Sequence, residues 1–178
     1  MKPTHAAVFM DGSEITLPAG RGSVHYEGEL VLRVGKPYEQ GIPVDQLVDG
    51  LALGIDFTLR DVQSELKKKG HPWLAAKGFP GSAALTSFRP FPGENALAAV
   101  PFFCLVRNGE EAQKGTVTEM IFSLQQVVDF IAAHFGLGEG DIIYTGTPAG
   151  VAAVQNGDHF LLKLGEDTLG DCAVKLSV

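Results

Sequence analysis

The residues best suited to chemistry in this chain are three carboxylates. Glu27 and Glu29 stand two positions apart in His25-Tyr26-Glu27-Gly28-Glu29-Leu30. Asp56 lies further on, in Gly54-Ile55-Asp56-Phe57-Thr58-Leu59-Arg60-Asp61-Val62-Gln63. The first stretch leads into Leu30-Val31-Leu32-Arg33-Val34, which reads as a strand, and side chains two apart on a strand share a face. Two like charges side by side on an apolar strand repel and resist desolvation, so they require a cation between them or free access to water. An all-oxygen set suits a hard ion, Mg2+ or Mn2+, with Ca2+ also admissible. Three protein ligands would leave open positions for substrate and water. His25, two before Glu27, falls on the same face of a regular strand. Imidazole suits a hard ion less well, so His25 reads either as a group holding a ligand from behind or as a plain structural histidine.

Strands and a helix have to position this set. Asp56 ends the apolar stretch 51–57, which is typical of a buried strand. Thr58 then opens a helix, with Asp61 as a capping-box variant and Gly70 as its stop. Leu59, Val62 and Leu66 share a face expected to pack on the core, whereas Arg60, Gln63 and Lys67 share another. Arg60 and Gln63 therefore either project beside Asp56 or lie on a surface helix where Arg60 pairs with Asp56 or Asp61. Within 71–79 a short helix is expected, with Pro72 near its first turn. Lys77 follows two alanines and precedes Gly78-Phe79; this apolar setting could draw its tip inward, against the usual solvated lysine.

Elsewhere, 6–10 and 14–17 around Asp11-Gly12 read as a short hairpin, and 24–34 as one strand. A short helix opens near Asp45. Residues 80–101 read as an irregular connection with one strand at 84–88. The clearest hairpin turns at Asn108-Gly109. Ser123-Leu124-Gln125-Gln126 is a capping box opening a helix that ends at Gly136, with His134 a favourable cation in its last turn. Strand 141–145 leads to Gly146-Thr147-Pro148-Ala149-Gly150, whose N–H groups and hydroxyl suit an anionic ligand. Asn156-Gly157-Asp158 turns the chain into 159–164, and 171–177 closes a last hairpin. No repeat or linker interrupts the chain, so a single domain over 1–178 is expected.

Composition narrows the class. The 178 residues are 45% hydrophobic and 20% charged, as in soluble globular proteins. A net charge of −7 argues against nucleic-acid partners. Lys67-Lys68-Lys69 reads as a solvated helix end. No apolar run approaches the roughly 18 residues of a membrane span, and the first residues lack a signal-peptide core. Cys104 and Cys172 have no metal or redox spacing and read as buried, reduced thiols of a cytoplasmic protein. The 22 glycines and 10 prolines imply many turns and a strand-rich architecture.

Taken together, these runs resemble the fumarylacetoacetate hydrolase superfamily, especially its small acylpyruvase and oxaloacetate decarboxylase members. The resemblance rests on residues 23–30, 56–63, Lys67-Lys68-Lys69-Gly70-His71-Pro72-Trp73, Ala76-Lys77-Gly78-Phe79, Met120-Ile121-Phe122 and 140–151, in family order over nearly the whole chain. It implies an α+β, mainly β fold, a mixed β-roll with a few short helices, usually dimeric. It also implies a divalent metal on Glu27, Glu29 and Asp56, and a small 2-oxo acid chelating that metal. Lys77 matches the lysine that contacts the substrate, and Arg60, Gln63, Gly146 and Thr147 match positions lining its pocket. A dication neutralises the enolate formed when a bond beside a ketone breaks, and an ammonium group helps in a water-poor pocket.

The chain departs from the family pattern in places. Met1-Lys2-Pro3-Thr4 resembles a Lys-Pro strand that follows a lid whose His and Glu activate water, so the lid is expected to be lacking; His5 and Glu14 do not replace it by spacing. Ala83-Ala84 replaces a common Cys-Pro, and Gly28 is small where an apolar side chain is frequent. Hydrolysis needs a base for water, a contribution of typically about 10²–10⁴ in rate, whereas decarboxylation needs only charge stabilisation. The sequence reading is a homodimeric metal-dependent hydrolase cleaving a C–C bond in an acylpyruvate-type acid. Its alternatives are an oxaloacetate decarboxylase, a hydroxymuconate-type isomerase or decarboxylase, and a lidless metal- and 2-oxo-acid-binding protein.

Overall fold

Apolar runs at 28–34 and 48–59 form the centre of the molecule, because they supply its long strands buried on both faces. The computed structural model describes residues 2–177. Its first strands are β1 (Ala7–Phe9), β2 (Glu14–Pro18), β3 (Val24–Tyr26), β4 (Gly28–Val34), β5 (Val48–Asp56), β6 (Thr58–Leu59) and β7 (Ala83–Leu85). The rest are β8 (Arg89–Pro90), β9 (Phe103–Arg107), β10 (Glu110–Gly115), β11 (Ile142–Tyr144), β12 (Ala152–Ala153), β13 (His159–Leu164) and β14 (Asp167–Ser177). Helices are short: α1 (Val44–Leu47), α2 (Arg60–Lys68), α3 (Leu74–Lys77), α4 (Glu94–Ala98) and α5 (Leu124–Phe135). This is the mainly β, α+β architecture that the sequence implies.

A six-stranded sheet runs β1-β7-β5-β4-β11, with β8 also on β5. A five-stranded sheet runs β10-β9-β13-β14-β2, and a small one joins β12, β3 and β6. Between the sheets, Phe160 meets Tyr26 at 5.2 Å and Phe57 at 6.1 Å between ring centroids, tying β13 to the segment that bears the carboxylates. Both cysteines are buried and free. The capping box at Ser123 forms as expected, with Gln126 N–H on the Ser123 hydroxyl at 3.2 Å. The Asn108-Gly109 hairpin also forms, both residues having positive φ. No helix among the described residues is long and apolar enough to cross a membrane.

Several local expectations fail for identifiable reasons. Segments 6–10 and 14–17 do not form a hairpin: β1 runs parallel to β7 and β2 parallel to β14. Ile15 and Leu17 bury one face of β2, whereas Phe9 is exposed, so Asp11-Gly12 hands the chain from one sheet to another. The strand over 24–34 breaks at Glu27, because β3 pairs with β6 and β12 while β4 pairs with β5 and β11. Helix α2 starts at Arg60, after β6, and no side chain caps it. Arg60 N–H instead reaches Ser23 O at 2.8 Å, and Asp61 accepts from Ser23 N–H at 2.7 Å. Leu59 is buried but Val62 and Leu66 are only half-buried, and the one buried residue of α2 is Gln63. Finally, 80–101 holds β7, β8 and α4 instead of one strand at 84–88, whereas the short helix expected within 71–79 forms as α3 with Pro72 just before it.

Candidate active site

Pairing of β4 with β5 sets Gly28 opposite Ile55 and Glu29 opposite Gly54, and Asp56 N–H bonds Glu27 O at 2.8 Å. The ends of the two strands therefore bring Glu27, Glu29 and Asp56 to one point. One carboxylate oxygen from each lies within 4.8 Å of the others, and the residues are only 8%, 4% and 8% exposed. Gly54 is required beside them: a Cβ there would stand 2.7 Å from both Ala84 O and the Tyr144 ring. That ring packs over Gly54, its hydroxyl bonded to Ala84 O at 2.9 Å.

Cations converge on the same point. Lys77, the last residue of α3, places Nζ 2.5 Å from Glu27 Oε2 and 2.8 Å from Asp56 Oδ2. Arg60 opens α2 and reaches Glu27 Oε1 at 2.6 Å with one nitrogen and Gln63 Oε1 at 2.6 Å with another. Lys77 and Arg60 thus project into the site; the surface-helix and solvated-lysine readings are set aside. Lys67, on the same helix, remains exposed. Sequence reasoning missed Lys2, whose Nζ lies 2.8 Å from Asp56 Oδ1 and donates to Ser82 O at 2.9 Å and to Lys77 O. Nothing in its spacing signals this, because the contact exists only once β7 is in place.

The Gly146-Thr147 loop uses its expected donors within the chain. Gly146 N–H binds Glu29 Oε2 at 2.6 Å, and the Thr147 hydroxyl donates to Gly28 O at 2.9 Å. Beside it opens a cavity of about 330 Å³ lined by Leu30, Phe103, Met120, Phe122, Val127 and Thr147. None of the three carboxylates lines that cavity; the site itself is filled by the side chains of Lys2, Lys77 and Arg60 folded onto the acids. His25 is half-buried and makes no hydrogen bond to the three carboxylates.

Electrostatics distinguish the three acids. Burial would raise Glu27, but hydrogen bonds and charge from Lys77 and Arg60 hold it below the ordinary carboxylate range. Those acids in turn raise Lys77 against the effect of burial, keeping it an ammonium. Burial outweighs Asp56 at Lys2 and lowers it. Glu29 is pushed up to about 8, first by burial and then by the charge of Asp56, with Gly146 N–H its one direct partner among the described residues. A carboxylate buried beside two others and held by a backbone N–H is the one of the three that is most costly to ionise. The donor set, oxygen only and gathered by two rigid strands, fits a hard dication.

Fold and site together define a class: a mixed β scaffold whose central strand ends gather an acidic pocket able to hold one hard metal ion. The chain belongs to the fumarylacetoacetate hydrolase family, whose model, fumarylacetoacetate (FAA) hydrolase C-terminal, matches residues 1–177. Among its relatives, oxaloacetate tautomerase FAHD1, mitochondrial, of Rattus norvegicus is 39% identical over 89% of this chain and 72% of its own length. Oxaloacetate tautomerase YcgM of Escherichia coli is 37% identical over 82% and 67%, and a mitochondrial oxaloacetate decarboxylase of Dictyostelium discoideum is 33% identical over 88% and 72%. A solved structure of fumarylpyruvate hydrolase from Pseudomonas aeruginosa, in complex with Mn2+ and pyruvate, matches with TM-score 0.87 and 31% identity over 99% of this chain and 77% of that one. These homologues are enzymes, and the named oxaloacetate activities fit the alternative drawn from the sequence better than C–C hydrolysis.

Proposed function

We propose that the chain is a homodimeric, divalent-metal-dependent enzyme that interconverts the keto and enol forms of oxaloacetate or a close 2-oxo acid. Glu27, Glu29 and Asp56 would hold Mg2+ or Mn2+. The observation that carries this reading is Glu29, buried among like charges with one backbone N–H for company. The Mn2+ and pyruvate of the Pseudomonas neighbour support it, as do the tautomerase names of the relatives.

A bound dication would supply an electrophile for the 2-keto group. The chain's own residues do the rest. Lys77, held as an ammonium beside Glu27 and Asp56, donates to the oxygen that gains charge as the C3 proton passes to a water molecule, which returns a proton to C3 on ketonisation. Arg60, fixed by Gln63 and Glu27, offers its remaining N–H groups to a substrate carboxylate. Gly146 and Thr147 hold Glu29 and the Gly28 peptide, and so bound the site. Decarboxylation of the same acid is the second reading, favoured by the Dictyostelium relative's name and by its need for charge stabilisation alone.

The test follows the ultraviolet absorbance of enol-oxaloacetate, and separately pyruvate release, with Mg2+ and with chelator, for wild type and Glu29→Gln. Expected is metal-dependent acceleration of ketonisation, lowered about 100-fold or more in Glu29→Gln. Pyruvate release without faster ketonisation would replace the tautomerase by the decarboxylase. Acetylpyruvate cleavage under the same conditions would restore the hydrolase, and full activity in chelator would remove the metal from the reading.

A further inference from the structure

The peptide of Gly28 lies between two of the three carboxylates, where the β4 ladder runs out. Strand β11 pairs with β4 only at Val31, Leu32 and Arg33. Thr145 then closes the pairing, bringing both its N–H, at 3.1 Å, and its hydroxyl, at 3.0 Å, to Leu30 O. Beyond it, two side chains continue what the strand no longer supplies. Thr147 donates to Gly28 O, and Gln113 Oε1 accepts from Gly28 N–H at 2.8 Å. The amide nitrogen of the same Gln113 donates to Thr147 Oγ1 at 2.9 Å and to Pro148 O at 3.0 Å.

Gln113 comes from the other large sheet. A register shift in β10 between Glu111 and Gln113 leaves Ala112 as an extra residue, and such a bulge re-aims the side chain that follows. Gln113 is consequently buried at 3% exposure with both ends of its amide engaged. The fit is tight: a Cβ on Gly28 would stand 3.2 Å from Gln113 Oε1 and from Leu105.

We propose that Gln113 is a positioning residue for the metal and substrate site. It locks the Gly28 peptide and the Thr147-Pro148 loop to each other, and so sets the separation of Glu27 and Glu29 and keeps Gly146 N–H on Glu29. This rests on the function proposed above. Only an amide can accept at one end and donate twice at the other. Glutamate of the same size would keep the bond from Gly28 but turn an acceptor on Thr147 Oγ1 and Pro148 O, releasing the loop.

The test measures Mn2+ affinity, and then oxalate affinity in the presence of Mn2+, by calorimetry. It compares wild type with Gln113→Glu, Thr147→Val and the double variant, taking the melting temperature of each in chelator. Expected is a loss of about 10–100-fold in Mn2+ affinity in folded Gln113→Glu. Thr147→Val should lose less, and the double variant less than the product of the two. A scaffold role would instead lower the melting temperature and leave the affinity of the folded protein unchanged; that result overturns the proposal. If Gln113→Glu does not fold, Thr147→Val decides, and wild-type affinity there overturns it equally. Failure of wild type to bind either probe removes the functional reading, and the positioning role with it.

Discussion

Glu29 is the residue on which the site turns. Its carboxyl, ordinarily near 4.5, is pushed up to about 8 by burial and by Asp56. The folded chain therefore holds this proton more tightly than the unfolded one, and the stability so gained is complete below about 4.5 and lost as pH rises through about 8. In chelator, the melting temperature should fall across that window, Glu29→Gln should flatten the fall, and Mg2+ should reverse it. Calorimetry over pH checks this, and a melting temperature independent of pH in chelator would contradict it. Glu29 and Asp56 were legible in the sequence because they stand near strand ends, a local property; Glu27 joins them although the strand expected to carry it together with Glu29 breaks there. Lys2 and Gln113 were not, since each acquires its role from a strand distant in the chain. Gly146 and Thr147 were recognised as donors, but their acceptors, Glu29 and Gly28, could not be read from a turn of that composition.

At the scale of elements, the turn between Gln155 and His159 is fastened by Asp158. That buried carboxylate accepts from Gln155 N–H at 2.7 Å and Asn108 Nδ2 at 2.8 Å, and pairs with Arg107 at 2.8 Å. Burial would raise its pKa, but these partners outweigh it and hold the group below its ordinary 3.8. Its contribution is thus present above about 3.8 and lost as pH falls below that value. Asp158→Ala should cost about 1–3 kcal/mol at neutral pH, because a half-buried guanidinium loses its carboxylate and the Gln155 and Asn108 donors lose their acceptor. Urea unfolding at pH 7 and at acid pH checks both, with the difference between variant and wild type shrinking in acid. Elements set by local chemistry, such as the Ser123 cap and the Asn108-Gly109 turn, were read correctly from the sequence. The false hairpin at 6–17 shows the limit. An Asp-Gly turn marks a reversal but does not say which strand will bury the faces on either side.

Across the whole molecule, one apolar core runs through all three sheets, from Leu53 and Leu30 to Tyr26 and Phe160. Unfolding should therefore follow a single cooperative transition, with fluorescence and circular dichroism coincident; two separated transitions would divide the single domain expected from sequence. Ile121 and Phe122 are 91% and 61% exposed, and Phe130 and Phe135 are exposed on α5. We propose that these side chains belong to the contact surface of the proposed homodimer. Light scattering should give twice the chain mass for wild type and the chain mass for Ile121→Lys/Phe122→Lys. A monomeric wild type would end that reading.

Residues 2–18 bring Lys2 to the acidic site, β1 to the edge of one sheet and β2 to the edge of another. Neither edge can form locally, because β1 waits for β7 and β2 for β14. During vectorial synthesis on the ribosome, this segment emerges long before its partners: β1 waits for Ala83–Leu85 and β2 for the much later Asp167–Ser177. A nascent chain stalled earlier carries the three carboxylates but not the strand that closes the five-stranded sheet behind them. Competence would then arrive late, only once β14 is available to receive β2.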